Sequence, residues 1–392
     1  MSETQSPDGW EEKSLGKLAD YINGYAFKPK DWKTEGLPII RIEQLNNSDA
    51  EYDYYEGLLP AKNRIDDGDL IFSWSATLSL KIWDRGSAAL NQHLFKVIVR
   101  NGVDKFFLKY LIEQHLEKLA GETHGSTMKH ITRPHLLNYK VEIPARIKEQ
   151  QKIASILQNV DSAIDETKEL IEKNKMIKSG LMQDLFDWVN WATVSLGNVA
   201  FVTKLAGFEY TEYFDYSKSG EIVAIRALNM KNGKLDLSDI HTIPRETSIK
   251  LPRSRLDKGD IVISYVGTIG ELSVIPENEK YHLAPNVAKI SLNKNLFYPE
   301  FVLYQLLTEI GKRRIFDLVA STTQMAISMT RLRTLILIRP PLEEQKRIVK
   351  ILEAVDNKIE SEQNYLCKLT QMKTGLMQDL LTGRVRVNVE AS

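Results

Sequence analysis

The chain states one pattern twice. Residues Glu149 to Phe186 recur without a gap as Glu344 to Leu381, at a constant offset of 195 residues. Each copy closes on the same six letters, Gly180-Leu181-Met182-Gln183-Asp184-Leu185 and Gly375-Leu376-Met377-Gln378-Asp379-Leu380. Upstream, Glu149-Gln150, Ile153, Ile156-Leu157, Val160-Asp161 and Ile164 match Glu344-Gln345, Ile348, Ile351-Leu352, Val355-Asp356 and Ile359. A period this long marks duplicated half-molecules, because solenoid units run to about 20 to 50 residues. The openings match as well: Trp10, Ser14-Leu15-Gly16 and Ala19 return as Trp191, Ser195-Leu196-Gly197 and Ala200. In between, little is shared beyond Ile40-Arg41 with Ile225-Arg226, Gly68 to Ser73 with Gly259 to Ser264, Thr77 with Thr268, and Asn91 with Asn286. The order is variable globule, long helix, variable globule, long helix.

In the first repeat Ile153, Leu157, Val160, Ile164 and Ile171 form a heptad stripe, and Ile348, Leu352, Val355, Ile359 and Leu366 repeat it. Two seams of equal pattern can close on each other. A whole globule intervenes between them, so an antiparallel pair with a pseudo-two-fold axis is expected, one globule near each end. About 40 residues at 1.5 Å rise give a helix of ~60 Å, against about three turns for an average helix. Such a length suits a spacer, although a domain-capping helix would also explain the stripe. The stripe weakens at Asn174 and resumes at Ile177, predicting a packing irregularity inside a helix that continues to about Phe186. Gly180 and Gly375 each cost about 1 kcal/mol relative to Ala in a helix, which points to another helix crossing closely there.

A length of 392 residues fits two domains of about 140 to 150 residues plus helices. The expected boundaries are 1–146 and 188–341 for the globules, 147–187 and 342–383 for the helices, and 384–392 for a tail. Lys plus Arg and Asp plus Glu both number 52, so no overall basic field announces nucleic acid; a local groove remains open. The lone Cys367 cannot form an internal disulfide and fits a reducing cytosol. The N-terminus lacks a basic-then-apolar signal, and no apolar run approaches the ~20 residues needed to span a bilayer. The expectation is a cytoplasmic protein with no membrane partner. Segments Pro38–Ile42, Asp69–Ser73, Leu94–Val99, Ile222–Ala227 and Ile261–Tyr265 read as strands. Lys105–Leu119 and Pro299–Val319 read as helices anchored by Phe107, Tyr110, Phe301 and Tyr304. Each globule is thus α+β with a mainly β body.

The loops carry the polar chemistry. Ser73-Trp-Ser75-Ala-Thr77 and Ser264-Tyr265-Val-Gly267-Thr268 follow strands, where hydroxyls and backbone N–H groups can hold phosphate oxygens or simply form a tight turn. Asn91-Gln92-His93 offers groups that pair with base edges. Gly125 to Thr132 and Ser321 to Ser328 form a second pair of candidate phosphate-facing loops, while Lys312-Arg313-Arg314 reads as a solvated helix face. No P-loop is present. Arg339-Pro340-Pro341-Leu342 lacks the amide or acid and the aromatic of an adenine-methyltransferase tetrapeptide. The histidines show no zinc spacing, and no nucleophile elbow appears. Asp66, Asp67, Asp69, Asp257 and Asp260 sit beside turn glycines and read as turn formers. The chain reads as a binding protein with no catalytic residues and no metal.

These features together resemble a known family. Gly24-Tyr-Ala-Phe27-Lys28-Pro29, Gly36-Leu-Pro38-Ile-Ile40-Arg41-Ile42, Gly-Asp-Leu-Ile-Phe-Ser at 68–73, Gly-Ser-Thr-x-Lys-x-Ile-Thr at 125–132 and the Glu-Gln-x-x-Ile helix ending in Gly-Leu-Met-Gln-Asp-Leu are similar to the specificity subunit of type I restriction-modification systems. Arg339-Pro-Pro-Leu-Glu-Glu-Gln-Lys-Arg-Ile348 and Thr382-Gly383-Arg384-Val385 extend the match to nearly the whole chain. The resemblance implies an α+β fold of two target-recognition domains separated by two long antiparallel helices, with no catalysis of its own. It implies double-stranded DNA, two methyltransferase subunits and, through them, restriction/translocase subunits as partners. S-adenosylmethionine, ATP and Mg would belong to those partners, and none to this chain; the methyltransferase would flip the target adenine. Two unlike globules imply an asymmetric split site, its halves about one helical turn, ~34 to 36 Å, apart.

The residues that the resemblance assigns to DNA are Lys28, Arg41, Gln44, Asn46, Ser73, Thr77, Asn91, Gln92, Ser126, Thr127 and Lys129 in the first half. In the second they are Arg226, Asn229, Lys231, Ser264, Tyr265, Thr268, Asn286, Thr322, Thr323 and Gln324. The second half replaces the Lys28 segment by Leu205-Ala-Gly207-Phe208-Glu209-Tyr210, so an equivalent of Lys28 is missing there. Ile153, Leu157, Val160, Ile164, Ile171, Gly180, Ile348, Leu352, Val355, Ile359, Leu366 and Gly375 are assigned to the helix pair. Two other readings stay open: a specificity module from a fused restriction-methylation enzyme, and a coiled-coil scaffold with two ligand-binding globules.

Overall fold

The computed structural model describes residues 7–121, 131–186, 190–213, 216, 220–319 and 325–389. The chain divides into two compact units, Met1–Glu169 with Asn364–Ser392, and Leu170–Gln363. Five helices anchor these units: α1 Lys105–Gly121, α2 Ile147–Leu185, α3 Pro299–Leu307, α4 Glu309–Phe316 and α5 Leu342–Leu380.

In the first unit one four-stranded sheet runs in the order Ala19–Asn23, Leu94–Val99, Leu70–Ser73, Ser79–Ile82, all antiparallel. A second sheet orders Tyr54–Tyr55, Leu37–Ile40, Ala88–Leu90, Arg64–Ile65, with Leu37–Ile40 and Ala88–Leu90 parallel. Strand Leu70–Ser73 is buried on both faces, which accounts for its unbroken apolar run. Leu70 and Phe72 point into the core with Phe107, Leu111 and Tyr110 of α1. Ile71, on the opposite face, packs with Ile40, Ile65, Trp83 and Leu90.

The second unit repeats the plan. Its antiparallel sheet orders Ala200–Lys204, Val287–Leu292, Ile261–Ser264, Leu272–Val274, and its mixed sheet His241–Ile243, Ile222–Ile225, Tyr281–Leu283, Arg255–Leu256. Ile261 and Ile263 join the core with Phe301 and Val302 of α3, while Val262 faces Ile225, Leu256 and Tyr281. A hairpin, Met230–Lys231 and Lys234–Leu235, is added here. The helix expected over Pro299–Val319 is two helices. Thr308 is extended, its hydroxyl donating to the Gln305 carbonyl at 2.7 Å and accepting the Gly311 N–H at 3.0 Å. Gly311 is required at this corner, since a Cβ would strike the Gln305 carbonyl oxygen.

Both long helices form, each 39 residues. In the first unit Ile153 and Leu157 of α2 pack with Leu380 and Leu381, and further along, Val160 and Ile164 pack with Leu369 and the half-buried Leu366. Rising numbers on α2 meet falling numbers on α5, so the two are antiparallel. In the second unit Leu185 and Phe186 pack with Ile348 and Leu352, and Lys178 meets Asp356 at 2.6 Å. Ile171 and Ile359 are buried and Val355 half-buried. Gly180 and Gly375 depart from the close crossing expected of them: both are exposed, and a Cβ on either would meet nothing within 4 Å. At the weak point of the stripe, Asn174 is buried with its Nδ2 unpartnered in an unbroken helix.

Each helix start is locked to its globule by one glutamine. Gln150 Oε1 accepts the Asp104 N–H at 2.9 Å, and its Nε2 donates to the Pro144 and Gly102 carbonyls at 3.0 and 3.2 Å. Gln345 accepts from Tyr298 N–H at 2.8 Å and donates to Leu296 and Pro340, each at 2.9 Å. Symmetry lapses one residue earlier. Buried Glu149 takes Arg386 of the C-terminal tail at 2.7 Å, whereas Glu344 pairs with Arg347 on its own helix at 2.6 Å.

Candidate nucleic-acid interface

In the first unit three loops converge at one end of the antiparallel sheet. The turn after strand Leu70–Ser73 is built from within: Ser73 is fully buried and its hydroxyl donates to the Thr77 carbonyl at 2.6 Å, while Ala76 takes φ +56°. Thr77 is left exposed at the tip. Trp74 stacks on Phe95 with centroids 5.6 Å apart and lies 5.9 Å from the His93 ring, which joins the turn to the link Asn91–His93 between the two sheets. Asn91 is buried and its Oδ1 accepts the His93 N–H at 3.3 Å, leaving Gln92 and His93 exposed.

The third loop is Gly24 to Lys28. The Tyr25 N–H donates to Leu90 O at 2.6 Å and Tyr25 O accepts from Gln92 N–H at 3.0 Å. Only glycine fits at 24, because a Cβ would collide with the carbonyls of Leu90 and Asn91. Lys28 is exposed, its backbone N–H held by Asp31 at 2.8 Å. Beside it Tyr25, Phe27 and Tyr55 form a three-ring cluster with centroids 5.0 to 5.9 Å apart. Desolvation, then the neighbouring Tyr25, push the Tyr55 hydroxyl above its ordinary pKa.

Other candidates are committed to the scaffold. Arg41 pairs with Asp53 at 2.5 Å and sits 4.9 Å from the Trp32 ring centroid; its Nη2 is buried and unpartnered. Gln44 is buried, bonded to Glu51 O at 2.6 Å, and the exposed Asn46 returns its amide to Ile42 O at 2.8 Å. Gln44 and Asn46 lie on a short helix, Ile42–Asn46, that follows strand Leu37–Ile40, and Arg41 is its N-cap.

The second unit repeats the turn. Buried Ser264 donates to the Thr268 carbonyl and accepts Glu271 N–H at 2.9 Å, with Gly267 and Gly270 at φ +78° and +90°. Thr268 is exposed. The backbone of Tyr265 bonds Asn286 O at 3.0 Å and Ile327 N–H at 2.9 Å, and Lys204 Nζ lies 5.0 Å from its ring centroid. Asn286, exposed at φ +69°, completes this cluster. Arg226 pairs with Asp239 at 3.1 Å, and buried Asn229 bonds Asp236 O and Asp239 O. Lys231 sits elsewhere, on the added hairpin, in a recess with Lys175, Lys178 and Glu360.

Ser126, Thr127, Lys129, Thr322, Thr323 and Gln324 lie outside the described residues. The aromatics were missed by sequence reasoning: Tyr25, Phe27 and Tyr55 in the first unit, and exposed Phe208 with Tyr210, Tyr216 and His241 in the second. Aromatics inside Gly-, Pro- and Lys-bearing loops were the available signal. Among the described residues no His, Cys, Asp and Glu cluster could hold a metal, and no helix is long and apolar enough to cross a membrane.

Comparison with known proteins fits this geometry. The model of the type I restriction modification DNA specificity domain matches twice, at residues 7–175 and 189–371. The EcoBI type I restriction enzyme specificity subunit of Escherichia coli is 23% identical, covering 96% of this chain and 86% of that protein. The MjaX specificity subunit of Methanocaldococcus jannaschii, named a putative type I restriction enzyme subunit, is 27% identical over 97% of this chain and 95% of its own length. The crystal structure of the S subunit of a type I restriction-modification system from M. genitalium superposes with a TM-score of 0.61 at 15% identity, covering 97% of this chain and 98% of that one.

Proposed function

The chain belongs to the type I restriction modification DNA specificity family, and on that premise we propose how it divides its work. Each unit reads one half of a split, asymmetric duplex site. The helix pair docks two adenine-N6 methyltransferase subunits and, through them, restriction/translocase subunits. Chemistry then resides in those partners, with S-adenosylmethionine, ATP and Mg; this chain contributes the address.

The observation that carries this reading is the repeated loop cluster. Two buried serines, Ser73 and Ser264, build the same turn on the same strand end, while the exposed residues around them differ. Like scaffolds with unlike surfaces suit two unlike half-sites. Lys28 would meet phosphate, and Gln92 and Asn286 would meet base edges, Gln or Asn to adenine being the usual match. Thr77 and Thr268 are phosphate or base contacts in this reading, as are the candidates at 126–129 and 322–324. Arg41 and Gln44 brace the segment at Glu51 to Asp53, and Arg226 and Asn229 that at Asp236 to Asp239.

Exchange of residues 188–341 for those of a relative with a different methylation motif, in a complex with the cognate methyltransferase subunits, tests the division. One half of the methylated motif should change and the other persist. Change in both halves, or in neither, would reject it. A chain that binds neither duplex DNA nor a methyltransferase would favour the scaffold with two ligand-binding globules.

A further inference from the structure

Where each globule meets the helix pair, three elements converge on one carboxylate. In the first unit Asp161 of α2 takes the Lys373 ammonium of α5 on Oδ1 at 2.6 Å and the Tyr110 hydroxyl of α1 on Oδ2 at 2.7 Å. In the second unit Asp356 of α5 takes Lys178 of α2 on Oδ1 at 2.6 Å and the Tyr304 hydroxyl of α3 on Oδ2 at 2.7 Å. The aspartates are repeat equivalents, and in each unit the lysine comes from the other long helix. Lys373 Nζ lies 5.5 Å from the Tyr110 ring centroid and Lys178 Nζ 5.4 Å from that of Tyr304. Both tyrosines are buried.

Apolar packing of α1 or α3 on the helix pair is non-directional and leaves rotation about the contact weakly specified. A charge-assisted hydrogen bond from a rigid ring specifies one rotation. We propose that Tyr110 and Tyr304 are positioning residues: each hydroxyl, bonded to the carboxylate that ties α2 to α5, sets the pitch of its recognition domain and so the half-site spacing the protein accepts. This inference rests on the DNA-reading function proposed above.

The test uses the complex with its methyltransferase subunits and duplexes carrying both half-sites at the native spacing and at one base pair more or less. Wild type should methylate the native spacing selectively; failure to methylate any duplex would reject the DNA-reading function itself. In the Tyr110→Phe/Tyr304→Phe double variant the selectivity for native over altered spacing should fall ~10-fold, with base preference within each half-site unchanged. Each single variant should show part of the loss, which covers a double variant that does not fold. Asp161→Asn/Asp356→Asn keeps an acceptor for both hydroxyls and should retain more selectivity than the phenylalanine pair. Unchanged spacing selectivity in a folded phenylalanine variant would overturn the proposal, as would altered base preference at constant spacing.

Discussion

Lys289 and Asp260 meet inside the second unit, Nζ 3.1 Å from Oδ2, with side chains only 9% and 7% exposed. Lys96 and Asp69 make the same pair in the first unit at 2.7 Å, but at 18% and 26% exposure. In both units the lysine also caps a strand carbonyl, Arg255 O or Arg64 O. Removing one partner of a buried pair strands the other charge at a cost of about 3 to 5 kcal/mol, whereas a wetter pair is worth about 1 kcal/mol. Lys289→Met should therefore lower the urea midpoint of the full chain well beyond Lys96→Met. Equal losses would contradict the burial argument.

Gln345→Leu should cost about 2 to 4 kcal/mol, because the Tyr298 N–H and the Leu296 and Pro340 carbonyls lose a buried partner. Hydrogen exchange reads this directly. The Tyr298 amide should exchange faster in Gln345→Leu and the Asp104 amide faster in Gln150→Leu, each without affecting the other.

His282 gives stability a pH dependence. Burial holds its imidazole below the ordinary 6.5, partly offset by the Leu283 and Leu251 carbonyls 2.8 and 3.3 Å from its ring nitrogens. The unfolded chain thus takes the proton first. The contribution is complete above pH 6.5 and is lost as pH falls through that value toward the lower folded one. His282→Gln should flatten the stability curve in this window, measured by chemical unfolding at successive pH values. An unchanged slope would mean that His282 is not protonated on unfolding there.

On DNA, Lys28→Ala should weaken binding to all duplexes alike and reduce the slope of log affinity against log salt by about 1. Gln92→Ala should cost about 1 to 3 kcal/mol at one base position and relax specificity there. Anisotropy titrations across a salt series and a base-substituted duplex set separate the two. A salt slope unmoved by Lys28→Ala would remove it from the phosphate contacts.

The duplication made the architecture legible, because a heptad stripe and a doubly buried strand leave patterns that survive divergence. Ile153 through Ile164 and Leu70 through Phe72 could be assigned from spacing alone. The corner at Thr308 could not, since its cause is a hydroxyl bonding back to the Gln305 carbonyl inside a sequence with helical periodicity. Gly180 and Gly375 misled for a related reason: a glycine in a helix signals a missing side chain without saying what faces the gap. At the loops, residue type identified polar groups but not their direction. Ser73 and Thr77 read alike in sequence, yet one is buried in the turn and the other exposed at its tip. The aromatic cluster of Tyr25, Phe27 and Tyr55 escaped because Tyr55 joins the others only through tertiary folding.

The most direct measurement of whether this chain supplies the address is single-molecule mapping of N6-methyladenine in the source genome, with and without the gene, while the methyltransferase subunits remain expressed. The expected result is one split, asymmetric motif that disappears on deletion and returns on complementation. A methylated motif that persists unchanged without the chain would contradict its role as the reader of that site.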